Sequence, residues 1–329
     1  MRVAAVLLLL GALGAAACGR ETATPATPAT PATPATPATP LVPQVRAAIA
    51  ADDFAAAEST LAAFKATYGQ SPEWLEAHSW IARGHLAADR LDQAERAAQQ
   101  TYDLAVEMLK TRPMDAEPRL PIAYGAAVEV IGQVEGRRGA RTEAVVFLER
   151  ERTAHAGTSI EKRIQKNINL LSLEGKDAPA IAGVEHFGPA PPTMAALEGK
   201  VVLLFFWAHW CADCKAMAPV LAELDEAYRS QGLVIVAPTQ RYGYVQGGLD
   251  ATPAEEKPYI EQVLRQAYPA LAAVSVPLDA ANHLRYGVST TPTVVLVGRT
   301  GVIGLYHPGK MTREALEPRI QALLAAPHP

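Results

Sequence analysis

The chain has 329 residues, a formal net charge of −4 and 49% hydrophobic residues, many of them alanine. Charge this close to balance leaves no basic footprint for a nucleic acid, and the length suits two domains with appendages. Alanine at this level favours closely packed helices, and the three cysteines, an odd number for an exported chain, have to be placed one by one.

Residues 1–18 read as a targeting segment. Arg2 precedes an apolar run from Val3 to Leu13, and Ala15, Ala16 and Ala17 form a small-residue cleavage site. The run is too short to span a bilayer comfortably. Cys18 after three alanines resembles a bacterial lipobox, in which the cysteine is lipidated and becomes the new N-terminus; Ala15 departs from the commoner leucine. Simple signal cleavage near Ala17 is the alternative, and either one implies export. Gly19-Arg20 lacks the aspartate that often marks inner-membrane retention, which favours the outer membrane. Residues 19–41 form a linker in which Ala-Thr-Pro repeats six times from Ala23 to Pro40. Proline at every third position sets an extended polyproline II spacer of roughly 55 Å at about 3.1 Å per residue.

Residues 42–175 read as an all-α domain. Phe54, Ala57, Leu61 and Phe64 mark one helix, and Trp74 to Ala87 followed by Leu91-Asp92-Gln93-Ala94-Glu95 marks a helical pair. Gly136 to Ala140 is a turn before a helix over Thr142 to Arg152. Ala57, Ala94 and Ala144 fall at equivalent small positions, with spacings of 37 and 50 residues. The pattern resembles a degenerate tetratricopeptide array, whose period is near 34 residues; a plain helical bundle is the alternative. Trp74, Trp80 and Tyr102 read as core. His78 and His85 lack the companions a metal site needs, and no metal is expected. Thr158 or Ser159 is expected to cap a last helix over Ile160 to Leu173, ended by Gly175.

Residues 176–329 change period. After a proline-marked lead and Gly199, the domain is organised around the stretch KVVLLFFWAHWCADCKAM, Lys200 to Met217. Val201 to Trp207 is a buried strand, and a helix begins at Cys211-Ala212-Asp213-Cys214. Two cysteines three apart at a helix start can close a small disulfide ring. Unpaired N–H groups and the helix dipole also favour the first as a thiolate. That is the chemistry of thiol–disulfide exchange, with Cys211 attacking and Cys214 resolving. Half a zinc site would need a second cysteine pair, and a purely structural bridge usually closes a longer loop. Leu233 to Ala237 reads as a second, parallel strand, and Tyr242, Gly243, Tyr244, Gly247 and Gly248 as a loop. Thr252-Pro253-Ala254-Glu255 is a capping-box start for a helix to about Tyr268. A short strand at Ser275–Leu278, a short helix at Ala281–Tyr286, a hairpin of Thr293–Val297 with Val302–Tyr306, and a helix over Thr312–Leu324 complete the order.

At Trp207-Ala208-His209-Trp210-Cys211-Ala212-Asp213-Cys214-Lys215, with Thr291-Pro292-Thr293 downstream, the chain resembles the thioredoxin superfamily. Within it, the likeness is to the TlpA/ResA-like thiol–disulfide oxidoreductases, and it covers roughly Asp177 to the C-terminus. The fold this implies is an α/β thioredoxin-like domain, a central mixed sheet flanked by helices, following the helical-repeat domain. It also implies that the Thr291–Pro292 bond is cis, that the backbone of Thr291 pairs with an extended substrate, and that Pro292 shields the thiol pair from metals. The expected activity is reduction of disulfides in exported proteins, without a cofactor. Electrons would come from a membrane thiol carrier of the DsbD or CcdA type, and the helical domain would recruit partners.

His209 and Lys215 are expected to favour the Cys211 thiolate and Asp213 to oppose charge at Cys214. Two positions depart from the family. Phe205 stands where a buried aspartate or asparagine is usual, and Met217 where a glutamate is. The usual proton-moving groups are therefore absent, leaving Glu185, Asp213 and Glu223 as candidates. A thiol peroxidase is the second enzymatic reading, disfavoured by Ala208 in the place of the threonine that peroxiredoxins use. A non-catalytic scaffold is the third.

Overall fold

The computed structural model describes residues 40–327, so Cys18 and residues 19–39 of the linker lie outside the described residues. Seven helices come first: α1 (Leu41–Ala50), α2 (Phe54–Tyr68), α3 (Pro72–Ala87), α4 (Leu91–Leu109), α5 (Arg119–Arg137), α6 (Arg141–Ala154) and α7 (Glu161–Ser172). Each packs on the next, and α3 also packs on α1 and α5 while α5 packs on α7. Three inter-helix turns share one geometry. Asp52, Asp89 and Gly139 adopt φ of 57°, 56° and 90°. The N–H of the following residue returns to the carbonyl five positions back in each (Ala48, His85, Glu135). Five residues past each left-handed position sits a fully buried alanine, Ala57, Ala94 or Ala144. A larger side chain there would hold the paired helices apart.

Trp74 is buried in the helical core, with Trp80 and Tyr102 half-buried against it. Neither Thr158 nor Ser159 caps α7. The N-cap position is Ile160, without a side-chain bond. Thr158 Oγ1 instead donates to the His155 carbonyl, and Ser159 is taken by the carboxylate of Asp115.

The second domain contains β1 (His186–Phe187), β2 (Val201–Phe206), α8 (Ala212–Tyr228), β3 (Leu233–Val236), α9 (Pro253–Ala267), β4 (Val276–Pro277), α10 (Ala280–Arg285), β5 (Thr293–Val297), β6 (Ile303–Pro308) and α11 (Arg313–Ala325). The main sheet has the order β3-β2-β5-β6. β2 runs parallel to β3 and antiparallel to β5, and β5 pairs antiparallel with β6. Val302 stays out of β6 because it bridges to Asp177.

Every residue of β2 is buried, as a central strand covered on both faces must be. Val201, Leu203 and Phe205 enter the core that includes α8 and α11, while Val202, Leu204 and Phe206 enter the one that includes Tyr286. Each such side chain contributes about 1.5–3 kcal/mol by leaving water. The strand is thereby a rigid base for whatever its C-terminal end carries.

Helix α7 joins the two parts. Ile164 and Ile168 enter the helical core, while Lys162 donates to the side chain of Gln240 at 2.9 Å. Gly287, at φ +59°, lies so close that an added Cβ would stand 2.4 Å from the backbone nitrogen of Lys166. The segment after α7 then runs beside β6, with Gly175 donating to Ile303 O and Ile303 to Lys176 O. Among the described residues no helix is long and apolar enough to cross a membrane.

Candidate functional site

Strand β2 delivers the chain to Trp207, which is fully buried and donates its Nε1–H to the Ala237 carbonyl at 3.0 Å. Its own carbonyl accepts from Thr239 Oγ1 at 2.8 Å. The chain is thus held to the end of β3 just before it turns into α8. Cys211 is the N-cap of α8, and its Sγ accepts the Cys214 N–H at 3.0 Å. The two cysteines form a disulfide with Cα atoms 5.2 Å apart. Cys214 is fully buried and Cys211 retains 3% exposure.

The Thr291–Pro292 peptide is cis, as the resemblance implied. Phe206 at the end of β2 pairs with Thr293 at the start of β5. That register places the cysteine turn and the cis-proline loop at the same edge of the sheet. The Pro292 carbonyl accepts from Gly309 N at 2.8 Å, and Thr291 Oγ1 is buried without a hydrogen-bond partner.

The charged surroundings differ from expectation. His209 is not solvated. It is 2% exposed, and burial lowers its pKa against the opposing pull of Glu256. Its ring meets Tyr242, Tyr244 and Tyr259 edge-on, with centroids 5.5, 5.3 and 5.3 Å away. Nε2 lies 3.3 Å from Glu256 Oε1 but is not aligned as a hydrogen bond. Burial under three tyrosines disfavours the cationic form that would support a thiolate at Cys211. Asp213 is exposed and pairs with Lys310 at 3.1 Å, which mutes its repulsion of charge at Cys214. Lys215 and Ala212 are exposed on the first turn of α8. Trp210 is 49% exposed beside the disulfide, its ring edge-on to Tyr242 at 5.6 Å.

Glu256 went unread in the sequence. It comes from the first turn of α9, is 1% exposed, and accepts from the backbone N–H groups of Tyr242 at 2.6 Å and Gly243 at 2.9 Å. It therefore ties the tyrosine-bearing loop over His209. The signal was available: Glu255 already fills the capping box with Thr252, so its neighbour, about 100° further round the helix, faces elsewhere.

Phe205 and Met217 are core residues, and Met217 Sδ accepts from Met311 N at 3.4 Å. Of the candidate proton groups, Glu185 is held by Arg241 and Lys257 at 2.7 and 2.8 Å. Those hydrogen bonds bring its pKa down to about 2. Glu185 is therefore not a ready proton donor. Glu223 pairs with Arg313 at 2.8 Å.

Residues 192–324 match the thioredoxin-like domain family. The thiol-disulfide oxidoreductase ResA of Oceanobacillus iheyensis is 30% identical over 126 residues, 38% of this chain and 57% of that protein. The thiol:disulfide interchange protein HelX of Rhodobacter capsulatus is 29% identical over 173 residues, 52% of this chain and 88% of that one. A Chlorobium tepidum structure assigned as the thiol:disulfide interchange protein DsbE is 28% identical, covering 46% of this chain and 98% of its own, with a TM-score of 0.37.

Proposed function

This chain carries a thioredoxin-like domain of the TlpA/ResA-like kind, and on that premise we propose that it is an exported, lipid-anchored thiol–disulfide oxidoreductase that reduces disulfides in other exported proteins. The observation that carries the chemistry is the Cys211–Cys214 disulfide at the start of α8, at the same sheet edge as the cis-proline loop. Export and anchoring are supported by Arg2, the apolar run and Cys18. A membrane thiol carrier is supported by the family alone.

In the reduced pair, the Cys211 thiolate attacks one sulfur of the substrate disulfide. A mixed disulfide forms and the other substrate sulfur leaves as a thiolate. Cys214, once deprotonated, attacks Cys211 Sγ. The second substrate sulfur is released, and two electrons have passed from the pair to the substrate. A dithiol donor returns the two electrons to close the cycle. The helix N-terminus stabilises the Cys211 thiolate between turnovers, since the Cys214 N–H points at Sγ and the helix dipole favours negative charge there. Exposed Trp210 and the backbone of Thr291 offer the surface on which an extended substrate segment lies.

The test joins a potential with a trap. Equilibration against glutathione and dithiothreitol buffers should give a value near −270 mV for a reductase, whereas about −120 mV would make the protein an oxidant and reverse the direction. Cys214→Ser should accumulate mixed disulfides, and Cys211→Ser should form none. Exchange unaffected by either substitution would remove the assignment.

A further inference from the structure

Where the helical part meets the cis-proline loop there is an open cleft of about 510 Å³, lined among others by Trp80, Arg83, Arg137, Arg163, Lys166 and Thr290. Its four cations face one lining carboxylate, Glu129. Arg163 Nε lies 2.7 Å and Lys166 Nζ 3.0 Å from the same oxygen, Oε2. Burial works against ionisation of Glu129, yet Lys166 and Arg163 hold its pKa at about 2, so that carboxylate is fully committed. Arg137 is occupied by the Leu86 carbonyl and Asp89.

Arg83 is left over. Among the described residues no carboxylate lies within ion-pair distance of it. Its guanidinium stacks on Trp80 at 4.4 Å, and Arg46 covers the same ring at 4.3 Å. Burial, and after it the Arg163 guanidinium, brings the Arg83 pKa down to about 10 against the weaker pull of Glu129 and Glu76, neither of which pairs with it. A half-buried cation among other cations is costly until an anion joins it. A planar guanidinium already held by stacking is well placed to grip a carboxylate. The Nε1–H of Trp80 is also buried without a partner.

Position decides what the anion belongs to. Ser289 and Thr290 line the cleft and immediately precede the cis Thr291–Pro292 bond. A chain lying against Thr291 with its disulfide at Cys211 therefore has its flanking residues at the cleft mouth. We propose that the cleft takes an acidic segment flanking the target cysteine of the protein whose disulfide Cys211 attacks. This rests on the oxidoreductase function proposed above. The helical part then selects substrates by charge, through residues contributed by α3, α5 and α7.

The experiment uses the mature full-length protein and three disulfide peptides identical except for flanks of aspartate, serine or lysine. kcat/KM should fall in that order. The aspartate-to-lysine ratio should be about tenfold at low salt and approach one at high salt, where exposed charges are screened. Arg83→Gln should shrink the ratio about fivefold, equivalent to about 1 kcal/mol. Arg83→Glu should turn the preference towards the lysine peptide, a gain that misfolding cannot produce. Equal reduction of all three peptides by the wild type, or an order that survives Arg83→Glu, overturns the cleft assignment. If no peptide is reduced at any salt concentration, the oxidoreductase function itself falls, and the cleft assignment with it.

Discussion

Replacing Glu256 by alanine tests whether one buried carboxylate holds the loop that roofs the site. The carboxylate accepts from Tyr242 N at 2.6 Å and from Gly243 N at 2.9 Å, and sits 3.3 Å from His209 Nε2. In Glu256→Ala the Tyr242 N–H, which is half-buried, is left without a partner at about 1–3 kcal/mol. Gly243 is exposed, so water can replace that bond at about 0.5–1 kcal/mol. The sum is about 1.5–4 kcal/mol. Glu256→Gln keeps one acceptor oxygen and should cost about half as much. With a urea slope of about 1–3 kcal/mol per molar, the alanine midpoint should fall by about 1–2 M. Unfolding followed by tryptophan fluorescence reads this, because Trp207 and Trp210 flank the loop while Trp74 and Trp80 report the helical part. Disulfide-reductase kcat/KM should fall in the same order, since Tyr242 no longer supports Trp210. Midpoints unchanged for both variants, with full activity, would refute the argument.

His283 is fully buried against Phe206, its rings in edge contact at 5.4 Å, with both nitrogens unpartnered. Burial, then Lys162, lowers its pKa from 6.5 to about 3. The folded state thus binds this proton less readily than the unfolded chain. Its contribution is intact above pH 6.5 and is lost as pH falls from there towards 3. Urea midpoints should register about 2–3 kcal/mol between pH 6.5 and 4.5, and His283→Gln should flatten the slope. Equal slopes in the two proteins would count against it. Gly287→Ala forces a side chain into a left-handed conformation at about 1–2 kcal/mol and drives its Cβ onto the backbone of Lys166. We expect a Tm several degrees lower and faster proteolytic cleavage between the two domains; an unchanged digestion pattern would mean that α7 does not dock through Gly287.

What could be read in the sequence is local. The run Val201–Trp207 was legible as strand because its residues are β-formers of the right length, and all of it but Trp207 is strand. The Thr252–Glu255 box starts α9 because both partners lie within one turn. The cysteine pair declares its chemistry by its spacing together with the strand before it and the helix it starts. The repeated helix turns were visible through Ala57, Ala94 and Ala144 in spite of irregular spacing, because each turn needs a small residue at the same offset.

Electrostatics were not legible, because each partner comes from far along the chain. Asp213 meets Lys310, 97 residues away, and a sequence reading could count its charge but not its neutralisation. His209 is two residues from Cys211, yet its protonation is decided by Tyr242, Tyr244, Tyr259 and Glu256 folding over it. Arg83 and Thr290 are more than two hundred residues apart and line one cleft only because α7 packs against α10. The sequence by itself determined the cysteine pair and the strand and helix that present it, since those depend on bonds within a few residues. Only the tertiary structure decided which charges survive around them, because the energy of a charge depends on distance and solvent access, and chain separation measures neither.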